Sequence, residues 1–149
     1  MTATTEEVLD AFPGERIDGD NLDHYAGLLE HRLLINRCRA CGAWHQPPQP
    51  MCPSCWSTDI VPTEVSGRGT IHLAIHLYQG PGVDPANPYP VVVVELEEQT
   101  GLRVTSTMVD CPKDEVQVGL AVELTWIDRD GRPVAVFRPA SDAKGEHHA

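Results

Sequence analysis

The sequence predicts a mainly β chain: two short N-terminal helices, a four-cysteine metal ribbon, then five strands closing into a small barrel. Three observations predict it. Four of the five cysteines fall in "CRACGAWHQPPQPMCPSC", Cys38 to Cys55, as two Cys-x-x-Cys pairs. Beyond them, short apolar or alternating runs recur, bounded by Gly, Asp and Pro. Before them, apolar residues recur at helical spacing. The boundaries expected are a helical segment 1–34, a ribbon 35–60, a barrel 61–140 and a flexible tail 141–149.

Thr4-Thr5-Glu6-Glu7 has the form of a capping box, Thr4 with Glu7, and opens a helix through Val8 and Leu9 that ends at Phe12-Pro13-Gly14. A second helix, capped at Asp20 or Asn21, runs to about His31 and aligns Leu22, Tyr25, Ala26 and Leu29 on one face. Two such helices are too small to build a core by themselves and are expected to lie on another part of the molecule or on a partner. Leu33-Leu34-Ile35 leads as a short strand into the cysteines.

The barrel strands follow. "TIHLAIHLY" (70–78) alternates strictly, which places Ile71, Leu73, Ile75 and Leu77 on one face and His72, Ala74 and His76 on the other. "YPVVVVELEE" reads as a strand buried on both faces at its start, joined through Gln99-Thr100-Gly101 to "GLRVTSTMV". "LAVELTWI" and "PVAVFR" form a second hairpin across Asp130-Gly131, a strong turn signal. Five strands, the first long and broken by "SGRGT" (66–70), fit an OB-type Greek-key barrel better than an SH3-like one. Gly67 and Gly69 would let that first strand coil.

Charge limits the partners. Of 149 residues only 11 are Lys or Arg, and the net charge is −11, so the chain lacks the cations that neutralise phosphates in a general nucleic-acid binder. "MTATTEEVLDAF" carries no signal-peptide pattern, and no apolar run approaches the ~20 residues that span a bilayer. A cytoplasmic protein with no membrane partner is expected. In that reducing compartment paired cysteines are more often metal ligands or redox groups than disulfides.

Thiolates bind Zn²⁺ tetrahedrally, and each Cys-x-x-Cys turn aims two sulfurs and several amides at one ion. Cys38, Cys41, Cys52 and Cys55 therefore read as one closed, structural metal site, zinc in preference to iron or a redox dithiol. Its ten-residue spacer is stiffened by Pro47, Pro48 and Pro50. Gly42 follows the first pair, where such a turn favours positive φ. Trp56 stands at the matching position of the second, which is expected to be less regular. His45 is expected at the surface, and Cys111 as a small hydrophobe.

This order of parts resembles a known family, the zinc-ribbon, OB-fold acyl-CoA-associated proteins long labelled domain of unknown function thirty-five. The stretches that carry the likeness are "DHYAGLLEHRLLINRCRACGAWHQPPQPMCPSC", "SGRGTIH", "PYPVVVVELEE" and "VGLAVELTW". The resemblance implies a rubredoxin-like ribbon, an OB barrel and a thiolase-fold partner. With that partner, the chain would help form the site for a coenzyme A thioester. The barrel looks most like members that accompany steroid side-chain aldolases and enoyl-CoA hydratases. Departures are Tyr25, where the family usually carries Trp, and Trp56, where Gly is usual.

The expected function is thus a non-catalytic subunit of a thiolase-like aldolase, as a 2:2 heterotetramer sharing its acyl-CoA. A biosynthetic thiolase or a hydratase is the alternative partner, and a ribbon-plus-OB nucleic-acid binder the alternative class. No nucleophile–base set is apparent. His72 with His76, and Glu95 with Glu97, read as surface pairs. Arg37, Arg39 and Arg68 are the candidate cations for the coenzyme A phosphates. The proline-rich "QGPGVDPANPYP" (79–90), stiffened towards extended conformations, is expected to dock a partner through Pro85, Pro88 and Tyr89, alongside Trp56.

Overall fold

The computed structural model describes residues 3–141; the stretch read as a flexible tail lies, beyond Ser141, outside them. The chain forms two compact units. One runs to Val65 and includes Trp126–Ala135; the other holds Ser66–Thr125 and the residues from Val136 on. Among the described residues no helix is long and apolar enough to cross a membrane.

In the first unit, α1 (Thr5–Ala11) starts at the expected capping box. The Glu7 amide donates to Thr4 Oγ1 at 3.2 Å and the Thr4 amide to Glu7 Oε2 at 2.7 Å. Ahead of α2 (Leu22–Leu29), Asp18 Oδ1 accepts from the amides of Asp20 and Asn21. The helices share a small core that another part of the chain completes. Val8, Phe12 and Ala26 are buried together, with Leu22, Tyr25 and Leu29 packed around them. The Phe12 ring makes this possible. It lies 4.9 Å from that of Tyr25 and beneath the Arg132 guanidinium, which also donates to the Ala11 carbonyl at 2.8 Å.

β1 (Leu34–Cys38) is the centre of a three-stranded antiparallel sheet, between β2 (Trp44–His45) and β3 (Ile60–Glu64). β3 pairs along its whole length with β1, from Ile60 opposite Cys38 to Glu64 opposite Leu34.

The second sheet has the order β6-β5-β4-β7-β8. Its strands are β4 (Arg68–Leu77), β5 (Tyr89–Leu96), β6 (Arg103–Ser106), β7 (Ala121–Arg129) and β8 (Arg132–Pro139). The sheet curls shut where Met108 bridges Phe137 in parallel, the Val109 amide donating to the Phe137 carbonyl and the Phe137 amide to that of Thr107. This is an OB barrel. Ile71, Val92, Val94, Val122 and Phe137 are buried in it. Gly67 and Gly69 are needed at its seam. At Gly67, where φ is +83°, a Cβ would sit 2.5 Å from Leu124 Cβ; at Gly69 it would run into the Glu95 carbonyl oxygen.

β4 does not keep one face. Its register against β5 slips between Ile71 and Leu73, leaving His72 as an extra residue. Because side chains alternate with a period of two, one extra residue exchanges the faces. Ile71 is 1% exposed, whereas Leu73, Ile75 and Leu77 are 48%, 45% and 40% exposed. The single apolar face read from the alternation is therefore corrected. His72 and His76 do not share a face either: His72 is exposed and His76 half-buried.

The 79–90 loop is also not extended. The Val83 amide donates to the Gly80 carbonyl and the Asn87 amide to that of Asp84, giving two consecutive turns. Asp84 caps the second, accepting from the Ala86 amide at 2.9 Å, with Pro85 at the position where a fixed φ favours a turn.

Candidate metal centre

The hairpin between β1 and β2 and the loop before β3 each make a tight knuckle. In the first, the Gly42 amide donates to the Cys38 carbonyl (2.8 Å) and the Cys38 amide to that of Ala43 (2.8 Å). In the second, the Trp56 amide donates to the Cys52 carbonyl (2.9 Å) and the Cys52 amide to that of Ser57 (2.8 Å). The two are the same construction. Gly42 has φ +81° and Trp56 φ +65°, so the second knuckle is as regular as the first, with a tryptophan held in the left-handed conformation. That corrects the expectation of an irregular turn.

The knuckles bring the Sγ atoms of Cys38, Cys41, Cys52 and Cys55 within 4.8 Å of one another. Cys38 and Cys55 sulfurs are 3.6 Å apart, and those of Cys41 and Cys52 3.7 Å. Disulfides need about 2.05 Å. A tetrahedral zinc with Zn–S of about 2.3 Å sets its sulfurs about 3.8 Å apart. The cluster fits a four-thiolate ion site and leaves no position for water. Neither pair starts a helix, which removes the usual setting of a redox dithiol.

Backbone amides prepare the charge. The amide of Cys41, and then that of Ala40, hold the Cys38 thiol below its ordinary value against the opposing effect of burial. The Cys55 and Ser54 amides bring Cys52 down to about 7. At Cys55 the Ser57 amide also acts downwards, but burial and the hydrogen bonds with the other three sulfurs push the thiol up to about 12. Four thiols this close share protons. A divalent cation is the species that lets all four ionise.

Around the cluster, Arg37 stacks on Trp44 (4.9 Å) and its Nε donates to the Gly42 carbonyl (3.2 Å), clamping the first knuckle. Arg39 pairs with Asp59 at 3.6 Å. His45, expected at the surface, is buried on β2, and neither ring nitrogen has a partner among the described residues. Trp56 is 76% exposed, with Met51 exposed on the same segment. The apolar ring at a strained φ was signalled in the sequence only by Trp standing where the first knuckle has Gly.

Arg68 belongs to the barrel unit, in a cleft of about 490 Å³ that Glu95, Glu97 and Glu123 also line. Arg103 pairs with Glu95 (3.4 Å) and Arg138 with Glu123 (3.1 Å). This mixed-charge setting is a poor isolated phosphate site. Pro85 is exposed, whereas Pro88 and Tyr89 are half-buried, Tyr89 opposite Leu77 in the β4–β5 ladder.

A zinc ribbon joined to an OB barrel is the class that this fold and cluster define. Comparison with known proteins agrees. Residues 26–61 match the model of the ChsH2 rubredoxin-like zinc ribbon domain, and 62–126 that of the ChsH2 C-terminal OB-fold domain. A DUF35 domain-containing scaffold protein of Methanocaldococcus jannaschii is 32% identical over 109 residues, 70% of this chain and 76% of its own length. The chain belongs to this DUF35 family.

A probable enoyl-CoA hydratase alpha subunit of Thermomonospora curvata is 35% identical over 86% of this chain, which spans 40% of that relative's length. Among solved structures, a chain of the Ltp2-ChsH2(DUF35) aldolase matches 84% of this chain and 98% of its own, with TM-score 0.73 and 34% identity. A DUF35 protein of Sulfolobus solfataricus shares the fold at 14% identity, TM-score 0.61, over 91% of this chain and 96% of its own.

Proposed function

We propose that this chain is the non-catalytic accessory subunit of a thiolase-fold acyl-CoA enzyme, a retro-aldolase cleaving a steroid side-chain CoA thioester. Cys38, Cys41, Cys52 and Cys55 hold one structural zinc. The ion supplies cross-linking, not chemistry: with four protein sulfurs around it, no position is open to substrate. The observation that carries the reading is the near end-to-end match to a chain of the Ltp2-ChsH2(DUF35) aldolase.

In this reading the ribbon and barrel form a docking scaffold. Trp56, Pro85, Pro88 and Tyr89 meet the partner in a 2:2 assembly. Arg39, whose pairing with Asp59 is long and exposed, is the best candidate of the three arginines for a coenzyme A phosphate. Arg37 serves its own knuckle, and Arg68 works against three carboxylates. The test is reconstitution: purified chain and Ltp2 subunit, separately and together, assayed for cleavage of a steroid side-chain CoA thioester. Activity should need both. Cleavage by the chain alone, or no complex, would refute the reading.

A second reading, that the partner is an enoyl-CoA hydratase, is favoured by the naming of two relatives as hydratase alpha subunits. The other, from Mycobacterium tuberculosis, is the 3-oxo-4,17-pregnadiene-20-carboxyl-CoA hydratase alpha subunit, 30% identical over 73% of this chain and 34% of its own length. Hydration of an enoyl-CoA by the reconstituted pair, without carbon–carbon cleavage, would select it.

A further inference from the structure

The face exchange at His72 leaves the β4–β5 ladder apolar on the side away from the barrel core. Leu73 lies opposite Val93, Ile75 opposite Val91 and Leu77 opposite Tyr89. Directly opposed residues project to the same side of a sheet, so these six form one continuous strip. The three on β4 are 40–48% exposed, and Tyr78, the residue after them, is 47% exposed. With the half-buried Val91, Val93 and Tyr89 they form one continuous apolar surface of the kind that marks an interaction site. A strand that needed only to dissolve would carry Lys or Glu here. Instead no Asp, Glu, Lys or Arg stands between Arg68 and Asp84.

The rim has the opposite character. Lys113 Nζ sits 4.9 Å over the Tyr78 ring, which brings the turn Lys113–Glu115 to the end of the strip. Asp114 and Glu115 of that turn are exposed, as is Asp110 just before it. One lysine stands among three carboxylates. Two copies of a chain of net charge −11 would set these like-charged rims against each other. A partner that rings an apolar ridge with Lys and Arg meets no such cost.

We propose that this outer β4–β5 face is a protein-docking surface, and that its occupant is the apolar, basic-rimmed ridge of the thiolase-fold partner. The proposal rests on the partner reading above and adds where the partner sits and by what chemistry. It also explains why the bulge stands at His72. Were His72 paired in regular register instead, Leu73, Ile75 and Leu77 would continue into the barrel's own core, and the ladder would offer the partner Ala74 and His76.

The experiment uses the full chain and the Ltp2 subunit of the Ltp2-ChsH2(DUF35) aldolase as probe, by calorimetry and sedimentation. The triple variant Leu73→Thr, Ile75→Thr, Leu77→Thr keeps β-branched or strand-compatible residues at exposed positions. Its fold is checked by circular dichroism and metal content. Affinity should fall at least about 100-fold. The rim variant Asp114→Lys, Glu115→Lys should bind more slowly and lose part of the salt dependence of association.

If the parent binds Ltp2 and the folded triple variant binds equally well, the face is not the dock and this proposal alone falls. If the parent does not bind Ltp2, the partner reading falls, and this occupant with it. If the parent self-associates and the folded triple variant is monomeric, the occupant is a second copy and the proposal is overturned.

Discussion

Replacing Trp56 by Ala and by Gly separates two things the residue does at once. Its backbone holds φ +65° in a knuckle otherwise identical to the one where Gly42 holds φ +81°. A left-handed conformation costs a residue with a Cβ about 1–2 kcal/mol. Glycine escapes that cost but loses an additional ~0.5–1 kcal/mol of chain entropy on folding. Both variants lose the same indole, so Trp56→Gly should exceed Trp56→Ala in stability by about 1 kcal/mol, roughly a factor of five in the folded-to-unfolded ratio. Because the side chain is 76% exposed, Trp56→Ala itself should stay within about 0.5 kcal/mol of the parent in the isolated chain.

Docking should behave differently. A tryptophan anchor is worth at least ~2 kcal/mol on truncation, about a 30-fold loss of affinity, and Gly and Ala should lose it alike. The assays are denaturant unfolding of the zinc-loaded chain, followed through zinc release, and calorimetric titration with the Ltp2 subunit. Equal stability of the two variants would refute the strain argument. Binding by Trp56→Ala within twofold of the parent would refute the anchor.

Other outcomes follow from the same geometry. Metal analysis should find one zinc per chain, and Cys41→Ser should lose it and unfold the ribbon while the barrel strands persist; iron, or no metal with intact thiols, would refute the site. Zinc affinity should fall as pH drops below about 7, because protons then compete at Cys52. At higher pH, binding should still release protons from Cys55, whose thiol stands near 12 in the ion's absence; pH-independent uptake would contradict both. Gly69→Ala should destabilise the barrel by about 3 kcal/mol or more, since its Cβ meets backbone, whereas Gly101→Ala, at φ +85° in open space, should cost only about 1 kcal/mol; similar unfolding midpoints would refute the seam argument.

Much of this was legible in the sequence because the signals were local. A capping box is written in four residues, a metal knuckle in five, and an Asp-Gly turn in two. The OB arrangement followed from strand spacing and from the glycines at "SGRGT". The misreadings share another cause. Strict alternation in "TIHLAIHLY" specifies a strand but not its register against β5, and nothing in those nine residues marks the slip at His72. The small helical core depended on Arg132, distant in sequence, reaching Phe12 and the Ala11 carbonyl. His45 looked exposed because four cysteines left it no role as a ligand, but its burial comes from the Asn36–His45 pairing of β1 with β2. The arginines looked available because sequence shows a charge and not its neighbours.

The bulge also bears on how a small barrel can carry an interface without losing its core. A strand that kept one face for ten residues would have to bury Leu73, Ile75 and Leu77 inside a barrel already filled by Val92, Val94 and Phe137. Overpacking a filled core costs as surely as emptying it. Inserting one residue divides the strand instead. Arg68–Ile71 stay with β7 and the core, held by the Ile71 amide on Leu120 and the Gly119 amide on the Ile71 carbonyl. From Leu73 on, β4 pairs only with β5 among the described strands, and its large side chains face outward. Deleting His72 should therefore spare docking, because Ile71 and Leu73 would become consecutive residues opposite Val94 and Val93 and the three large side chains would stay outward; loss of binding by the shortened chain would refute this account.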